Sequence, residues 1–402
     1  EIYMGDWSSD VCSSDLSAKY LNKLARRPTR GFAIWRDRTW ADLRIIGQLL
    51  NNLPSDINTD YRHIAKPWSL CAIRMTRKSL LNQLELAYAP LTAYEFAVIK
   101  DDPLIERALW KASLYLIAQR PVITFENVVP DTSVYQLNFE IHQQGNPNIL
   151  KCRLPFDQEI FELADHNVVD VAFNYLDKSI MQEKPPFNNI HGFSLVKHKD
   201  GGREFIIWFS PEKLLQNWWK GNIECEIEGD FTSFTRYKIH YVGKATKQNI
   251  LKRLTGHSTF QDILSLESPV TEKQLPANEV VVMPFEFQDN IQIQSFGPES
   301  DIETMVAVLK GENYPEQEKV FLDAEKALIK AMEPNYNKEL FKNYPISKDG
   351  LYGDKYDAIS YTFMDPITLV YKQGEIRGGL TQIGGDSILI LDNKEFKLVK
   401  NG

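Results

Sequence analysis

The chain has 402 residues, 43% of them hydrophobic and 25% charged, which is enough apolar material for two or three domains with packed cores. No stretch approaches the roughly 18 apolar residues of a membrane-spanning helix, and Cys12, Cys71, Cys152 and Cys225 form no Cys-x-x-Cys pair. We therefore expect a cytoplasmic protein with no membrane partner, disulfide framework or zinc cluster, and the net charge of −8 excludes a uniformly basic coat for nucleic acid.

Residues 1–16 stand apart from the rest of the chain. Asp6 to Leu16 (DWSSDVCSSDL) resemble the conceptual translation of a common sequencing-adapter oligonucleotide over eleven consecutive residues, and position 1 is not methionine. We interpret residues 1–16 as a sequencing artefact, leave them out of fold prediction, and expect the natural N-terminus to be missing.

Residues 17–120 are predicted to form a helical region. Apolar residues recur at helical spacing in two stretches: Leu43, Ile46, Leu49 and Leu50, then Leu80, Leu81, Leu84 and Leu86. Asp102-Pro103 predicts the start of a helix that continues through Leu109 to Ala118. Eight Lys or Arg residues between positions 19 and 44 face only Asp37 and Asp42, which favours a solvated helical face, with a nucleic-acid-binding arm as the alternative.

Residues 121–215 are predicted to form a mixed α/β region, and residues 346–402 a β-rich tail. The predicted elements of the mixed region are strands at 122–125 and 135–142, a helix at about 158–181, a hairpin of 193–198 with 204–209 around Asp200-Gly201-Gly202, and a helix from Ser210 to Trp219. The tail has predicted strands at 367–371, 387–391 and 396–399.

The region with recognisable chemistry is 216–345. A predicted strand from Tyr237 to Gly243 precedes a predicted helix from Asn249 to Leu254. Basic residues collect here with no acidic residue between them: Arg236, Lys238, Lys244, Lys247, Lys252 and Arg253. This pattern predicts an electropositive patch that would attract a phosphate backbone. Arg253 and His257 are four residues apart, so on a continuing helix both would lie on one face.

A second piece lies downstream, where Phe321 to Met332 is amphipathic. Glu325 borders the apolar stripe, and by itself it would be read as a solvated residue that pairs with Lys326 or Lys330. Glu333-Pro334-Asn335-Tyr336-Asn337 follows, and Pro334 is expected to end the helix.

Taken in order, these elements resemble the GIY-YIG nuclease family over about residues 220–345. The elements that carry the resemblance are Tyr241-Val242-Gly243, Arg253, His257, Glu325 and Pro334-Asn335-Tyr336-Asn337. The resemblance implies an α+β fold with a small mixed β-sheet flanked by helices, which binds one divalent metal and hydrolyses phosphodiester bonds in DNA.

The resemblance also implies a role for each residue. Glu325 would ligate Mg²⁺ or Mn²⁺, both of which suit a hard oxygen ligand. Arg253 would stabilise the pentacoordinate phosphate, Tyr241 would orient or deprotonate the attacking water, and His257 would relay a proton or bind phosphate. Asn337 would brace the site from behind, and Gly243 would let the backbone turn tightly out of the strand. Lys238, Lys244, Lys247 and Lys252 would contact the DNA backbone.

One element of the family pattern is missing. Its first motif, Gly-Ile-Tyr, normally lies shortly before Tyr-Val-Gly on the partner strand, but Glu226 to Phe231 contains no tyrosine. Either Tyr237 or His240 takes its place, or the first strand is displaced, or the site is degenerate. Because the stretch between His257 and Glu325 is long, Glu303 and Glu318 remain alternative metal ligands.

The sequence thus predicts a DNA endonuclease of a restriction, defence or repair type. Two alternatives remain: an inactive nucleic-acid-binding module on the same fold, or an interaction protein in which the motif match is coincidental. The oligomeric state and the choice between DNA and RNA stay open.

Overall fold

The structure is a computed structural model that describes residues 77–161, 163, 169–175, 177, 179, 181–199, 202–246, 249–296, 300–379 and 384–401. These residues form an α+β protein with more strand than helix. None of the described helices is long and apolar enough to cross a membrane.

The described strands are, in chain order, β1 (Arg77–Leu86), β2 (Leu91–Thr92), β3 (Leu114–Gln119), β4 (Ile123–Asp131), β5 (Gln136–Gln143), β6 (Leu150–Pro155), β7 (Val169–Tyr175), β8 (Ile190–Lys199), β9 (Gly202–Phe209), β10 (Glu226–Glu228), β11 (Arg236–Lys244), β12 (Val280–Ser295), β13 (Ala358–Phe363), β14 (Thr368–Tyr371), β15 (Gly374–Arg377), β16 (Ser387–Leu391) and β17 (Glu395–Val399). The described helices are α1 (Ala93–Ile99), α2 (Pro103–Ala108), α3 (Pro211–Trp219), α4 (Ile250–Thr255), α5 (Ser258–Leu266), α6 (Ile302–Leu309) and α7 (Gln317–Met332).

The larger sheet has ten of these strands in the order β15-β14-β11-β3-β12-β1-β13-β16-β17, with β2 paired to β12. The prediction of a small mixed sheet is therefore wrong, because the sheet that contains β11 has ten strands. The N-terminal strand β1 pairs with β12, and the C-terminal strands extend the sheet at both ends, with β13 parallel to β1 and β14 parallel to β11. These additions bury more apolar surface on the face that α7 covers, where Leu84, Leu328 and Ile388 share one core.

The smaller sheet has seven strands in the order β10-β6-β5-β4-β8-β7, with β9 paired to β8. All of its strands come from the stretch between β3 and β11. Its core is aromatic: the ring of Phe193 lies 5.0 Å from that of Phe125 and 5.5 Å from that of Phe209, measured between centroids. Helix α3 packs Leu214 and Leu215 into the same core.

The described part of the region predicted as helical, residues 77–120, contains strands β1, β2 and β3 together with the short helices α1 and α2. Residues 77–86 form β1, because burial alternates through Leu80, Asn82, Leu84 and Leu86. The buried amide of Asn82 donates to the carbonyl oxygen of Ser360 at 3.0 Å, which explains a polar residue in the buried row. The stretch 43–50 lies outside the described residues.

Two further helix predictions need correction. Asp102 does cap a helix that begins at Pro103, but that helix ends at Ala108 because residues 114–119 are a fully buried central strand. The described part of 158–181 contains a short 3₁₀ turn (Glu159–Phe161) and strand β7 instead of one helix.

Other predicted elements are confirmed. Strands β8 and β9 form the predicted antiparallel hairpin, and Ser210 caps α3 by accepting from the backbone N–H of Lys213. The predicted strands of the tail are present as β14, β16 and β17, and they belong to the larger sheet.

Candidate active site

Two tyrosines from neighbouring strands lie side by side on one face of the larger sheet. Strands β3 and β11 are antiparallel, and their register places Tyr115 opposite Gly243 and Tyr241 opposite Ile117. Residues two apart on a strand share a face, so the rings of Tyr115 and Tyr241 meet, with centroids 6.0 Å apart.

Gly243 leaves the space that this pair needs. A Cβ atom at position 243 would lie 2.5 Å from Cζ of Tyr115 and 2.6 Å from Cε1 of Tyr241, closer than real contacts allow. Gly243 lies within β11 and does not end it, so the expected tight turn is wrong. The glycine is required here because two rings crowd its Cα.

Arg253 and His257 lie on different helices. Helix α4 ends at Thr255, Gly256 is its C-cap, and His257 is the N-cap of α5. The prediction of one continuing helix is therefore wrong, because the chain leaves the first helix at Gly256 and the His257 side chain caps the next one. Both side chains nevertheless line the same cavity.

The hydrogen bonds of His257 define its tautomer. Its Nδ1 accepts from the backbone N–H of Phe260 at 3.3 Å, so the proton of the neutral ring lies on Nε2. Nε2 lies 3.3 Å from the hydroxyl oxygen of Tyr115, to which it can donate. Burial lowers the pKa of His257, and the charge of Arg253 lowers it further, which favours this neutral form.

Burial keeps both tyrosines protonated. It raises the pKa of Tyr115, and it raises that of Tyr241, where the carboxylate of Glu325 adds to the effect. The charge of Arg253 opposes both shifts. The four side chains thus interact electrostatically, although they come from strands and helices that are distant in the sequence.

Glu325 reaches the cavity from the opposite face of the sheet. Helix α7 packs against the core that contains Val242, whereas α4 and α5 pack against the core around Tyr115. The side chain of Glu325 is 13% exposed, and its Oε2 lies 2.8 Å from Nζ of Lys244, at the end of β11. Burial raises the pKa of Glu325, and the hydrogen bond and charge of Lys244 oppose this shift.

A buried aspartate one half-turn earlier fixes the position of α7. Asp323 is 2% exposed and accepts hydrogen bonds from the hydroxyls of Tyr344 (2.6 Å) and Tyr361 (2.8 Å) and from the backbone N–H of Leu351 (2.9 Å). Tyr361 belongs to β13, so the C-terminal strands hold the helix that carries Glu325.

The segment after α7 pairs with the backbone of β11. Asn337 accepts from the N–H of Val242 at 2.9 Å and donates to its carbonyl oxygen at 2.8 Å, while the N–H of Tyr336 donates to the carbonyl oxygen of His240 at 3.2 Å. Strand β14 pairs with β11 only from Arg236 to Lys238, so this segment continues along the same edge. Asn337 thereby lies directly behind Tyr241 and Gly243.

These elements surround a cavity of about 380 Å³. Its walls contain the four predicted catalytic residues and the predicted supporting residue: Tyr241, Arg253, His257, Glu325 and Asn337. Tyr336, Lys338, Glu339 and Phe341 complete much of the remaining wall. Among the described lining residues, Glu303 and Glu318 do not occur, so Glu325 is the better placed of the three carboxylates that the sequence left open.

The basic patch expected from the sequence is largely neutralised in three dimensions. Lys238 lies 3.6 Å from Glu267, Lys252 lies 2.9 Å from Glu106, and Arg236 lies 2.8 Å from Glu375. Lys244 pairs with Glu325, and Lys247 lies outside the described residues. Carboxylates remote in the sequence pair with these side chains on folding and so reduce the positive charge of the expected patch.

Sequence analysis missed Tyr115, a fully buried residue that contacts the lining residues Tyr241 and His257. The proposed substitutes lie elsewhere: Tyr237 is buried in the core, and His240 is fully buried with Nε2 3.1 Å from Oε1 of Gln119. Burial lowers the pKa of His240 to about 4. The signal for Tyr115 was a lone tyrosine in an apolar run (LYLIA), which carries little information without knowledge of the strand pairing.

Comparisons with known proteins add no relative: no protein-family model, curated protein or solved structure matches the chain. Within the described ranges, no group of three or more His, Cys, Asp or Glu residues could hold a metal ion. A partly open carboxylate such as Glu325 is nevertheless a suitable single ligand for Mg²⁺, which commonly keeps several waters. The ammonium of Lys244 already lies against it, so the cavity tolerates a cation at this carboxylate.

Proposed function

We propose that this chain is a metal-dependent endonuclease that hydrolyses phosphodiester bonds in DNA, with the cavity at the edge of β11 as its active site. The observation that carries the proposal is the convergence of Tyr241, Arg253, His257 and Glu325 on one cavity. A coincidental sequence match would give no reason for residues from β11, α4, α5 and α7 to meet.

The position of Tyr115 supports the resemblance to the GIY-YIG family. The family's first tyrosine lies on the strand that pairs with Tyr-Val-Gly, and Tyr115 lies on β3, which pairs with Tyr241-Val242-Gly243. Of the possibilities left open by the sequence, this placement favours a displaced first strand. The displacement is long because the whole smaller sheet lies between β3 and β11.

The tyrosines and His257 form the part of the site that would orient the attacking water. A water in the cavity could donate a hydrogen bond to the hydroxyl oxygen of Tyr241 and, as it attacks phosphorus, pass its proton to a phosphate oxygen or to solvent, because the tyrosine hydroxyls stay protonated. Because Nε2 of His257 donates to Tyr115, the hydroxyl hydrogen of Tyr115 can point toward Tyr241. The pair therefore orients the nucleophile, and neutral His257 sets the direction of the hydrogen bond.

Arg253, and a metal ion held by Glu325, would stabilise the negative charge that develops on the reacting phosphate. The Arg253 guanidinium lies exposed at the rim, where it can bind a phosphate oxygen through two N–H groups as negative charge develops. Glu325 would hold one Mg²⁺ or Mn²⁺ ion, which when bound would neutralise the charge on the leaving oxygen. Asn337 would keep β11, and hence Tyr241, in place by bonding both backbone groups of Val242.

The test is a cleavage assay on the purified full chain with supercoiled plasmid, linear duplex DNA and structured RNA. We expect cleavage of DNA with Mg²⁺ or Mn²⁺ and none with a chelator. Glu325→Gln should abolish it, whereas Glu318→Gln, an exposed glutamate two turns earlier on α7, should leave it unchanged. If all three substrates stay intact with either metal, the chain is not a nuclease.

The second candidate is a nucleic-acid-binding module without chemistry. The pairing of Lys244 with Glu325 favours it, because an ammonium occupies the carboxylate that a metal would need. This alternative expects salt-sensitive DNA binding that neither metal nor Glu325→Gln changes. The same assay, combined with a binding measurement, separates the two.

A further inference from the structure

A lysine on the segment after α7 gives the candidate active site a second cation. Lys338 lines the same cavity as Arg253, and both residues are exposed. Arg253 belongs to α4, whereas Lys338 follows the end of α7, so the two positive charges reach the cavity from different elements. The proposed nuclease mechanism uses Arg253 and assigns no role to Lys338.

The two cations differ from the other basic residues of this region in their charge environment. The Nζ atoms of Lys238, Lys244 and Lys252 each lie 3.6 Å or less from a carboxylate oxygen. Within the part of the chain that the structure describes, neither Arg253 nor Lys338 forms an ion pair with a carboxylate. Two cations that keep their charge at one cavity attract a ligand with two negative groups.

The backbone that carries Lys338 is held on both sides. Immediately before it, Asn337 bonds both backbone groups of Val242 on β11. After it, Phe341 packs against the core of the larger sheet, and its carbonyl oxygen accepts from the N–H of Tyr344 at 2.8 Å. Phe341 also has a φ of 45°, in the left-handed region that L side chains rarely adopt. Strained positions of this kind concentrate at binding and catalytic sites. A ligand that binds Lys338 therefore does not have to order this segment first.

The cavity has room for more than one phosphate. Its volume of about 380 Å³ lies in the range of about 300–1,000 Å³ that is typical of small-ligand pockets. Tyr336 and Phe341 add aromatic surface on either side of Lys338 in the sequence. Cations combined with aromatic rings are typical of grooves that follow a nucleic-acid strand, since cations bind phosphates and rings stack on bases. Glu339 also lines the cavity, and its negative charge confines favourable phosphate positions to the surroundings of Arg253 and Lys338.

Building on the proposed nuclease function, we infer that the cavity binds two consecutive phosphates of one strand, the scissile phosphate at Arg253 and its neighbour at Lys338. The neighbouring phosphate keeps its charge throughout the reaction, so Lys338 binds the substrate and the transition state equally well. The substrate is then a strand with at least two successive phosphates. A dinucleoside monophosphate lacks the group that Lys338 binds.

Calorimetric titration of the full chain without metal tests the two phosphate positions independently of cleavage. The probes are thymidine 3′,5′-bisphosphate and the thymidine 3′- and 5′-monophosphates. The wild type should bind the bisphosphate about tenfold or more tightly than it binds either monophosphate. Lys338→Gln should bind the bisphosphate about as weakly as the wild type binds a monophosphate. Lys342→Gln, at an exposed lysine of the same segment outside the described lining of the cavity, is the matched control and should behave as the wild type.

Cleavage of linear duplex DNA with metal gives a second readout. Lys338→Gln should raise KM about tenfold and leave kcat within a few fold of the wild type, because it removes an interaction that the ground state and the transition state share. Lys342→Gln should change neither constant.

Three results would overturn the inference. The first is binding of the bisphosphate by the wild type no more tightly than of the monophosphates. The second is wild-type affinity and KM in Lys338→Gln. The third is an equal loss of affinity in Lys338→Gln and Lys342→Gln, which would show a general effect of charge. If bisphosphate binding depends on Lys338 while no DNA is cleaved with either metal, the site for two phosphates stands and the proposed nuclease function fails.

Discussion

The ring of Tyr115 occupies the space in which a side chain at Gly243 would lie, with Cζ of Tyr115 2.5 Å from an ideal Cβ at position 243. Any larger residue must push Tyr115 away from Tyr241 and from His257. The glycine of Tyr241-Val242-Gly243 and the tyrosine of β3 therefore depend on each other, although they are far apart in the sequence.

Gly243→Ala should consequently reduce both stability and cleavage. Displacing a packed aromatic ring costs about 1–3 kcal/mol of the free energy of unfolding, which chemical denaturation can measure. We expect DNA cleavage to fall more steeply than stability does, because the Tyr115–His257 hydrogen bond is lost with the ring position. Gly353→Ala is the control, since Gly353 is exposed and has no atom within 4 Å of its added Cβ. If Gly243→Ala and Gly353→Ala lost equal stability and cleavage, the Tyr115 ring would not be what requires glycine at position 243.

Tyr115→Phe tests whether the missed tyrosine contributes to the reaction. It removes only the hydroxyl that accepts from His257, so the fold should persist while cleavage falls about a hundredfold or more. Tyr237→Phe removes a hydroxyl from a tyrosine that is buried in the core on the other face of the larger sheet, and its rate should stay within a few fold of the wild type. Initial rates on plasmid at saturating metal give the comparison. Full activity of Tyr115→Phe would exclude this tyrosine from the mechanism.

Lys244→Met should strengthen metal binding by the free protein. The ammonium of Lys244 lies 2.8 Å from the oxygen of Glu325 that a cation would use, so removing it ends a competition for that oxygen. We expect the affinity for Mn²⁺ to rise about fivefold or more in calorimetric titration above neutral pH. Lys252→Met, at an exposed lysine paired with Glu106 outside the cavity, should leave the affinity unchanged. If Lys244→Met bound Mn²⁺ more weakly than the wild type does, Lys244 would not be competing with the metal for Glu325.

Asp323→Asn should change how stability depends on pH. Burial raises the pKa of Asp323, and its hydrogen bonds with Tyr344, Leu351 and Tyr361 only partly oppose this. The unfolded chain ionises near the ordinary value of 3.8, so the wild type loses stability relative to Asp323→Asn as pH rises from there through the folded-state pKa. Urea denaturation across the weakly acidic range should show the stability of the wild type falling relative to Asp323→Asn as pH rises.

The exposed Asp301 should show the opposite dependence of stability on pH. The hydrogen bond from the Thr304 side chain lowers the pKa of Asp301, so here the wild type gains stability relative to Asp301→Asn as pH rises through the folded-state and then the unfolded-state pKa. A difference for Asp323→Asn that is flat or rises with pH would show that burial does not control this carboxyl.

Local signals predicted parts of the fold well. The pairing of β8 with β9 and the helix after Ser210-Pro211 were predicted from turn and capping residues in the sequence, which are local signals. Strand β1 was mistaken for a helix because buried Asn82 interrupts the apolar alternation, and because Leu81 adds an apolar residue on the other face. The hydrogen bond from Asn82 to Ser360 that makes this polar burial acceptable comes from a strand nearly three hundred residues away.

In the site as well, local motifs predicted some residues, whereas contacts between distant segments were not predictable. The sequence predicted Tyr241, Arg253, His257 and Glu325 as a set, and the fold places all four around one cavity. It could not predict Tyr115, because only the register of β3 against β11 connects that residue to the motif. Nor could it predict that Glu106, Glu267 and Glu375 neutralise the basic residues, since each pair forms across distant segments.

The insertion of a complete seven-stranded sheet between β3 and β11 has a consequence for folding order. Pairing of the strands that carry Tyr115 and Tyr241 closes a loop formed by residues 120–235. A loose chain of that length closes slowly, whereas a folded insert with its own aromatic core holds both ends near each other in advance. We therefore expect the folded insert to speed the pairing of β3 with β11, so destabilising the Phe125–Phe193 core should slow refolding after denaturation even though neither ring lines the cavity.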